Sequence, residues 1–175
     1  MENEIPRAGC IFKKTNRNHG ERGIISSVEL LKEETERLPF ISQGFLDMQV
    51  NGYNGSDYSL DNLDRKHIDR IIGSLAASGT TQHVPTIVTS PQERLIRNLR
   101  VITKERQASS LAASAIVGYH IEGPYISSED GPRGAHDPCY ARDPNFDEFL
   151  AWQDAAEGLI KIVTLAPERE VRSLS

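Results

Sequence analysis

The residues best equipped for chemistry are His120 and Glu122, in the run Tyr119-His120-Ile121-Glu122-Gly123-Pro124. Alternate side chains of a strand share a face, so a strand through this run sets an imidazole beside a carboxylate before Gly123-Pro124 turns the chain away. These nitrogen and oxygen ligands suit zinc or another divalent cation, although a catalytic zinc takes three protein ligands and a water. The competing reading is a packed strand histidine and a glutamate that caps a turn. Gln49 and Asn51 form a second alternate pair. Amide oxygens are weak transition-metal ligands, so this pair would bind a ligand or water, brace the rim, or simply end a strand. A third candidate, Arg133-Gly134-Ala135-His136, lies in a loop of about twenty residues, and structureless loops of that length are usually functional or disordered. There His136 is either a substrate contact or a solvated loop histidine. Gly79-Thr80-Thr81 and Thr86, beside His83, are rim candidates with an equally good reading as strand formers.

The elements that must position these groups follow a rhythm. Phe45-Leu46-Asp47-Met48-Gln49-Val50 reads as a strand, closed by a Gly/Asn/Tyr loop through Gly55. Ile68, Ile71, Ile72, Leu75 and Ala76 recur at helical spacing, with Gly79 as the stop. Gln82 to Val88 reads as a second strand that Pro85 should bend or end early. Ser90-Pro91-Gln92-Glu93 supplies a cap, a first-position Pro and an early Glu for a helix with Leu95, Ile96, Leu99 and Ile102 on its apolar face. A third strand runs from Ala115 to Glu122. Asp143-Pro144 caps a third helix carrying Phe146, Phe149 and Leu150, and Leu159 to Leu165 makes a fourth strand.

This β-α-β-α-β-α-β order, at roughly 30 residues per unit, matches a (β/α)₈ barrel. A Rossmann-type sheet gives the same order, but no G-x-G-x-x-G follows the first strand. The fold expectation is therefore α/β: a partial (β/α)₈ TIM-type barrel of about four strands and three helices, spanning residues 40–175. Residues 1–39 form a short irregular N-terminal segment in which Ser27 to Glu34 could make a short helix. Half a barrel exposes an unpaired strand edge, which implies either a fragment or a pairing partner.

With 175 residues, the chain is long enough for one core. Its net charge of -5 and dispersed Lys and Arg show no basic stripe, which argues against nucleic acid or anionic lipid as partner. Cys10 and Cys139 form no C-x-x-C pair, so neither a disulfide framework nor a thiolate zinc cluster is indicated. No signal-peptide pattern or bilayer-length apolar run occurs, so the expected location is cytoplasmic, away from any membrane. G-x-S-x-G, P-loop and Cys/His nucleophile patterns are absent.

Taken together, the blocks Gly44-Phe45-Leu46-Asp47-Met48-Gln49-Val50-Asn51-Gly52, Gly79-Thr80-Thr81 with Pro85-Thr86 and Thr89-Ser90, Gly118-Tyr119-His120-Ile121-Glu122-Gly123-Pro124-Tyr125, Gly134-Ala135-His136 and Ile162-Val163-Thr164-Leu165-Ala166-Pro167-Glu168 resemble the N-acetylglucosamine-6-phosphate deacetylase family of the amidohydrolase superfamily. The match covers residues 40–168 and only the N-terminal part of that family. Gln49-x-Asn51 stands where most amidohydrolases have His-x-His, which argues against relatives such as dihydroorotases. The resemblance implies hydrolysis of N-acetylglucosamine 6-phosphate to glucosamine 6-phosphate and acetate, with a divalent metal ion, zinc by ligand type, as cofactor. It makes Glu122 the metal-binding residue and Ala135 and His136 the substrate contacts, with Gln49, Asn51 and His120 as rim candidates. The family's further metal-binding histidines and catalytic Asp are expected beyond Ser175, so no catalytic residue is assigned here. The resemblance further implies a homo-oligomer at full length and an inactive truncated form in this chain. Gln43 replaces the usual Pro before Gly44, and the loop from Glu122 to His136 is two residues longer than the family pattern. The alternatives are a non-catalytic interaction protein whose half-barrel pairs with a partner, and a different amidohydrolase.

Overall fold

The computed structural model describes residues 43–169. The expectations for residues 1–39, including the helix at Ser27 to Glu34 and the boundary at residue 39, lie outside the described residues. The elements run β1 (Phe45–Val50), β2 (Gly52–Tyr53), β3 (Ser56–Asp57), α1 (Arg65–Ala77), β4 (Thr80–Val88), α2 (Gln92–Ala108), α3 (Ser110–Ala115), β5 (Tyr119–Glu122), a 3-10 turn at Pro138–Tyr140, α4 (Phe146–Ala155) and β6 (Ile160–Thr164). Strands β1, β4, β5 and β6 pair in that order, all parallel, with helices in the crossovers. This is the expected α/β architecture of a partial TIM-type barrel.

Helix α1 shows why these segments fold as they do. Asp64 accepts a hydrogen bond from the His67 amide at 3.1 Å, Ile68, Ile71, Ile72 and Leu75 are buried, and Gly79 at φ +94 releases the chain into β4. Ala76, expected on the apolar face, is exposed. The core these helices cover is aliphatic with a few large aromatics: Ile87 and Ile121 from the strands, Leu95, Leu99 and Ile102 from α2, and Tyr58 and Trp152, none of them exposed. Strand β1 forms one edge of the sheet, and there Phe45, Leu46 and Met48 stay exposed on both faces.

Five expectations need correction. Strand β4 does not stop at Pro85. It runs through, and the pairing partners absorb the missing N–H: the β1 register slips between Asp47 and Val50, and the ladder to β5 begins at Thr86. The loop after β1 closes into the small antiparallel hairpin of β2 and β3. The third strand starts at Tyr119 instead of Ala115, because Ser109 caps α3 through the Ala112 amide and helix occupies that stretch. At α2, the Ser90 hydroxyl donates back to the Val88 carbonyl at 2.8 Å and no side chain caps the helix. At α4 the cap is Asn145, and its inward residue is Trp152, while Phe146 and Leu150 face outward.

One buried group makes the core sensitive to acid. His83 is 1% exposed, with its Nε2 2.7 Å from the Tyr58 hydroxyl. Burial pushes its pKa down to about 4, against a weaker upward pull from Asp47. The folded state therefore binds fewer protons than the unfolded chain between pH 6.5 and about 4, so stability is complete above pH 6.5 and falls as the pH drops through that window. The expected loss is about 3 kcal/mol, read as the pH dependence of the urea midpoint. His83→Gln should flatten the dependence in that interval.

Candidate active site

The carboxyl ends of β1, β4, β5 and β6 converge on one face, the usual ligand face of a parallel barrel. Glu122, the last residue of β5, is half-buried there. Its two oxygens are individually held: Gln49 Nε2 donates to Oε1 at 2.9 Å and Asn51 Nδ2 donates to Oε2 at 3.0 Å. The alternation that puts Gln49 and Asn51 on one side of the chain is thus used to grip a carboxylate two strands away. Each oxygen retains lone-pair capacity after accepting one N–H, so the clamp orients the group without consuming it. Gln49 is itself steadied by its backbone N–H, which donates to Asp47 Oδ1 at 3.0 Å.

His120 lies two residues before Glu122 on β5. It is 4% exposed, with Nδ1 3.2 Å from Thr86 Oγ1 and Nε2 2.7 Å from Thr164 Oγ1, so one ring ties β4, β5 and β6 together. Burial shifts its pKa downward, and the nearby Glu122 carboxylate opposes that shift. Both ring nitrogens of His120 face neighbouring strands. Thr164 was not singled out in the sequence, and the cue for it is weak: a polar residue at the end of the fourth apolar strand.

The exit from β5 is tight. Gly123 has φ +79, and a Cβ there would collide with Thr89 Oγ1, so only glycine fits. The loop beyond carries Ala135, which is exposed, and His136, which is half-buried with an Nδ1 that has no protein partner. No hydrogen bond links either residue to the Gln49, Asn51 and Glu122 cluster. The structure therefore gathers three of the candidate residues at one point and leaves two on a separate loop.

Relatives with names were found in two comparisons, while no family model matches. The chain is 33% identical over 132 residues to N-acetylglucosamine-6-phosphate deacetylase of Bacillus subtilis (strain 168), covering 73% of this chain and 32% of that protein. It is 36% identical over 137 residues to the Caenorhabditis elegans deacetylase of the same name, covering 74% and 32%. The chain is a part-length relative of the N-acetylglucosamine-6-phosphate deacetylases. It spans about a third of the length of these relatives. Solved deacetylase structures agree in shape: that of Mycobacterium smegmatis superimposes with a TM-score of 0.62 at 34% identity, covering 73% of this chain and 34% of that one. The Pasteurella multocida deacetylase gives 0.68 at 28% identity, covering 83% and 38%. A mutant of the M. smegmatis deacetylase has been solved in complex with N-acetyl-D-glucosamine-6-phosphate.

The described residues fit the metal of such a site in part. Glu122 offers an oriented anionic oxygen, which is the chemistry a divalent cation needs from one ligand. Among the described residues no group of three or more His, Cys, Asp or Glu is arranged to hold a metal. They offer one well-braced carboxylate and not a complete ligand set. No helix among the described residues is long and apolar enough to cross a membrane.

Proposed function

We propose that Glu122 contributes a metal ligand, and Ala135 and His136 a substrate-contacting surface, to a site for hydrolysing the N-acetyl amide of N-acetylglucosamine 6-phosphate. The products are glucosamine 6-phosphate and acetate. The observation that carries the reading is the carboxylate at the barrel mouth with each oxygen clamped by a neutral amide. Such outer partners fix a ligand's direction and are as much a part of a metal site as the ligands. The deacetylase names of the relatives, and the sugar phosphate bound by the M. smegmatis protein, support the substrate class.

A divalent cation, zinc in the first instance, would polarise the amide carbonyl and lower the pKa of a water when bound. This chain's own residues do the preparatory work. Gln49 and Asn51 are chemically suited to this because their amides donate without bringing positive charge that would compete with a cation. His120 holds the strand ends in register beneath the carboxylate, and His136 is half-buried on the loop, with a buried Nδ1 that has no protein partner.

With one ligand among the described residues, the 175-residue chain is expected to release acetate from N-acetylglucosamine 6-phosphate at a rate indistinguishable from a no-protein control, even with zinc supplied. The same sugar phosphate is expected to shift the nuclear magnetic resonances of Ala135 and His136 saturably. Brisk turnover would refute the part-site reading, and unmoved resonances would refute the substrate assignment.

A further inference from the structure

The loop that carries Ala135 and His136 begins and ends at one point, since the Arg142 amide donates to the Pro124 carbonyl at 3.0 Å. This makes it a closed surface loop whose ends meet. Two guanidinium groups fasten its shoulders. Arg142 Nε donates to both Glu148 oxygens at 3.1 Å, and its Nη2 reaches Oε1 at 2.6 Å. Its Nη1 donates to the Ser90 carbonyl just past β4 at 3.3 Å and to the Tyr140 carbonyl at 2.9 Å. Arg169, beyond β6, donates from Nε to the Ile126 carbonyl at 2.8 Å and pairs with Asp143 through Nη1 at 2.7 Å. The Ala166 amide adds a bond to the Tyr125 carbonyl at 2.8 Å. The chain leaving β4 and the chain leaving β6 are thus both tied to the base of the loop that leaves β5.

Inside the loop, the Arg133 amide donates to the Glu129 carbonyl at 3.0 Å and the Gly134 amide to the Gly131 carbonyl at 3.1 Å. An untethered loop of this length would have to be ordered when a ligand arrives, and that entropy would be taken from the affinity. A planar guanidinium fork fixes direction as well as charge, which an ammonium does not.

We propose that Arg142 and Arg169 are positioning residues that hold this loop in its ligand-ready shape in the free protein, so that Ala135 and His136 meet a sugar phosphate without an ordering step. The ligand named here rests on the proposed function, whereas the clasp itself stands on the hydrogen bonds above. The test is amide hydrogen exchange on the full 175-residue chain, resolved by residue. In the ligand-free wild type, the Arg133, Gly134 and Arg142 amides should exchange slowly. Arg142→Gln and Arg169→Gln should each accelerate them at least tenfold while the Gly123 amide, bonded to the Thr164 carbonyl, is unchanged. Saturating N-acetylglucosamine 6-phosphate should alter loop exchange in the wild type by less than twofold. Both variants should bind it at least tenfold more weakly, with the side-chain amide resonances of Gln49 and Asn51 unmoved. A purely structural role would move those resonances as well. If Arg142→Gln does not fold, Arg169→Gln alone decides. Fast exchange in the free wild type, or slow exchange in both variants, overturns the proposal. A wild type that is clasped but whose Ala135 and His136 resonances do not shift with the sugar phosphate overturns the functional reading and leaves the clasp standing.

Discussion

Glu122→Gln is expected to abolish the weak zinc binding that one braced carboxylate gives this chain, measured as the loss of zinc-dependent shifts in the side-chain amide resonances of Gln49 and Asn51. The variant is nearly isosteric, so the effect isolates charge and donor pattern. An amide NH₂ in place of one carboxylate oxygen would face an N–H of Gln49 or Asn51, donor against donor, and would offer the cation no anion. Gln49→Leu and Asn51→Leu remove only the bracing and should weaken that binding by less than Glu122→Gln does, each read on the side-chain amide that remains. Equal losses in all three variants would mean that the cluster acts as a packing unit and not as a ligand with supports.

Trp152→Ala should be the most destabilising single change in the described core. Trp152 is fully buried on α4 and its ring stacks on Tyr125, with centroids 5.1 Å apart. Truncation removes the largest buried side chain and leaves a cavity, at a cost of about 3–5 kcal/mol. Urea unfolding followed by circular dichroism measures this, because the variant lacks the sole tryptophan and with it the fluorescence signal. The loss should reach the loop as well. The single Tyr125 hydroxyl proton is shared between the Asn145 carbonyl at 2.9 Å and Glu148 Oε2 at 2.8 Å, so an unsupported Tyr125 ring would loosen the carboxylate that receives Arg142. A loss below about 1 kcal/mol would mean that the site collapses around the gap.

Periodicity in the sequence carried most of the architecture. Strand β1 was bounded correctly, and the buried Ile68, Ile71, Ile72 and Leu75 of α1 were legible from their spacing because nothing in tertiary packing opposed local preference. Where the reading failed, long-range contacts decided. Phe146 and Leu150 carry a helical apolar spacing that points outward, since Trp152 and Ala155 had claimed the inner face. Pro85 was tolerated in β4 because its neighbours shifted register, which no single strand reveals. The same holds at the site. Alternation placed Gln49 beside Asn51 and His120 on the face of Glu122, but that the amides grip the carboxylate depends on β1, β4 and β5 lying side by side. The roles of Arg142 and Arg169 left no sequence signal at all, as their partners are backbone carbonyls and carboxylates set by the loop's path.

The central claim is that the Glu122 carboxylate is a cation's binding point at the barrel mouth, and manganese(II) tests it even if affinity is weak. Titrated into isotope-labelled protein, Mn²⁺ is expected to broaden the side-chain amide signals of Gln49 and Asn51 first and most strongly, and to leave them sharp in Glu122→Gln. Broadening centred on another carboxylate, or equal broadening in that variant, would contradict the account.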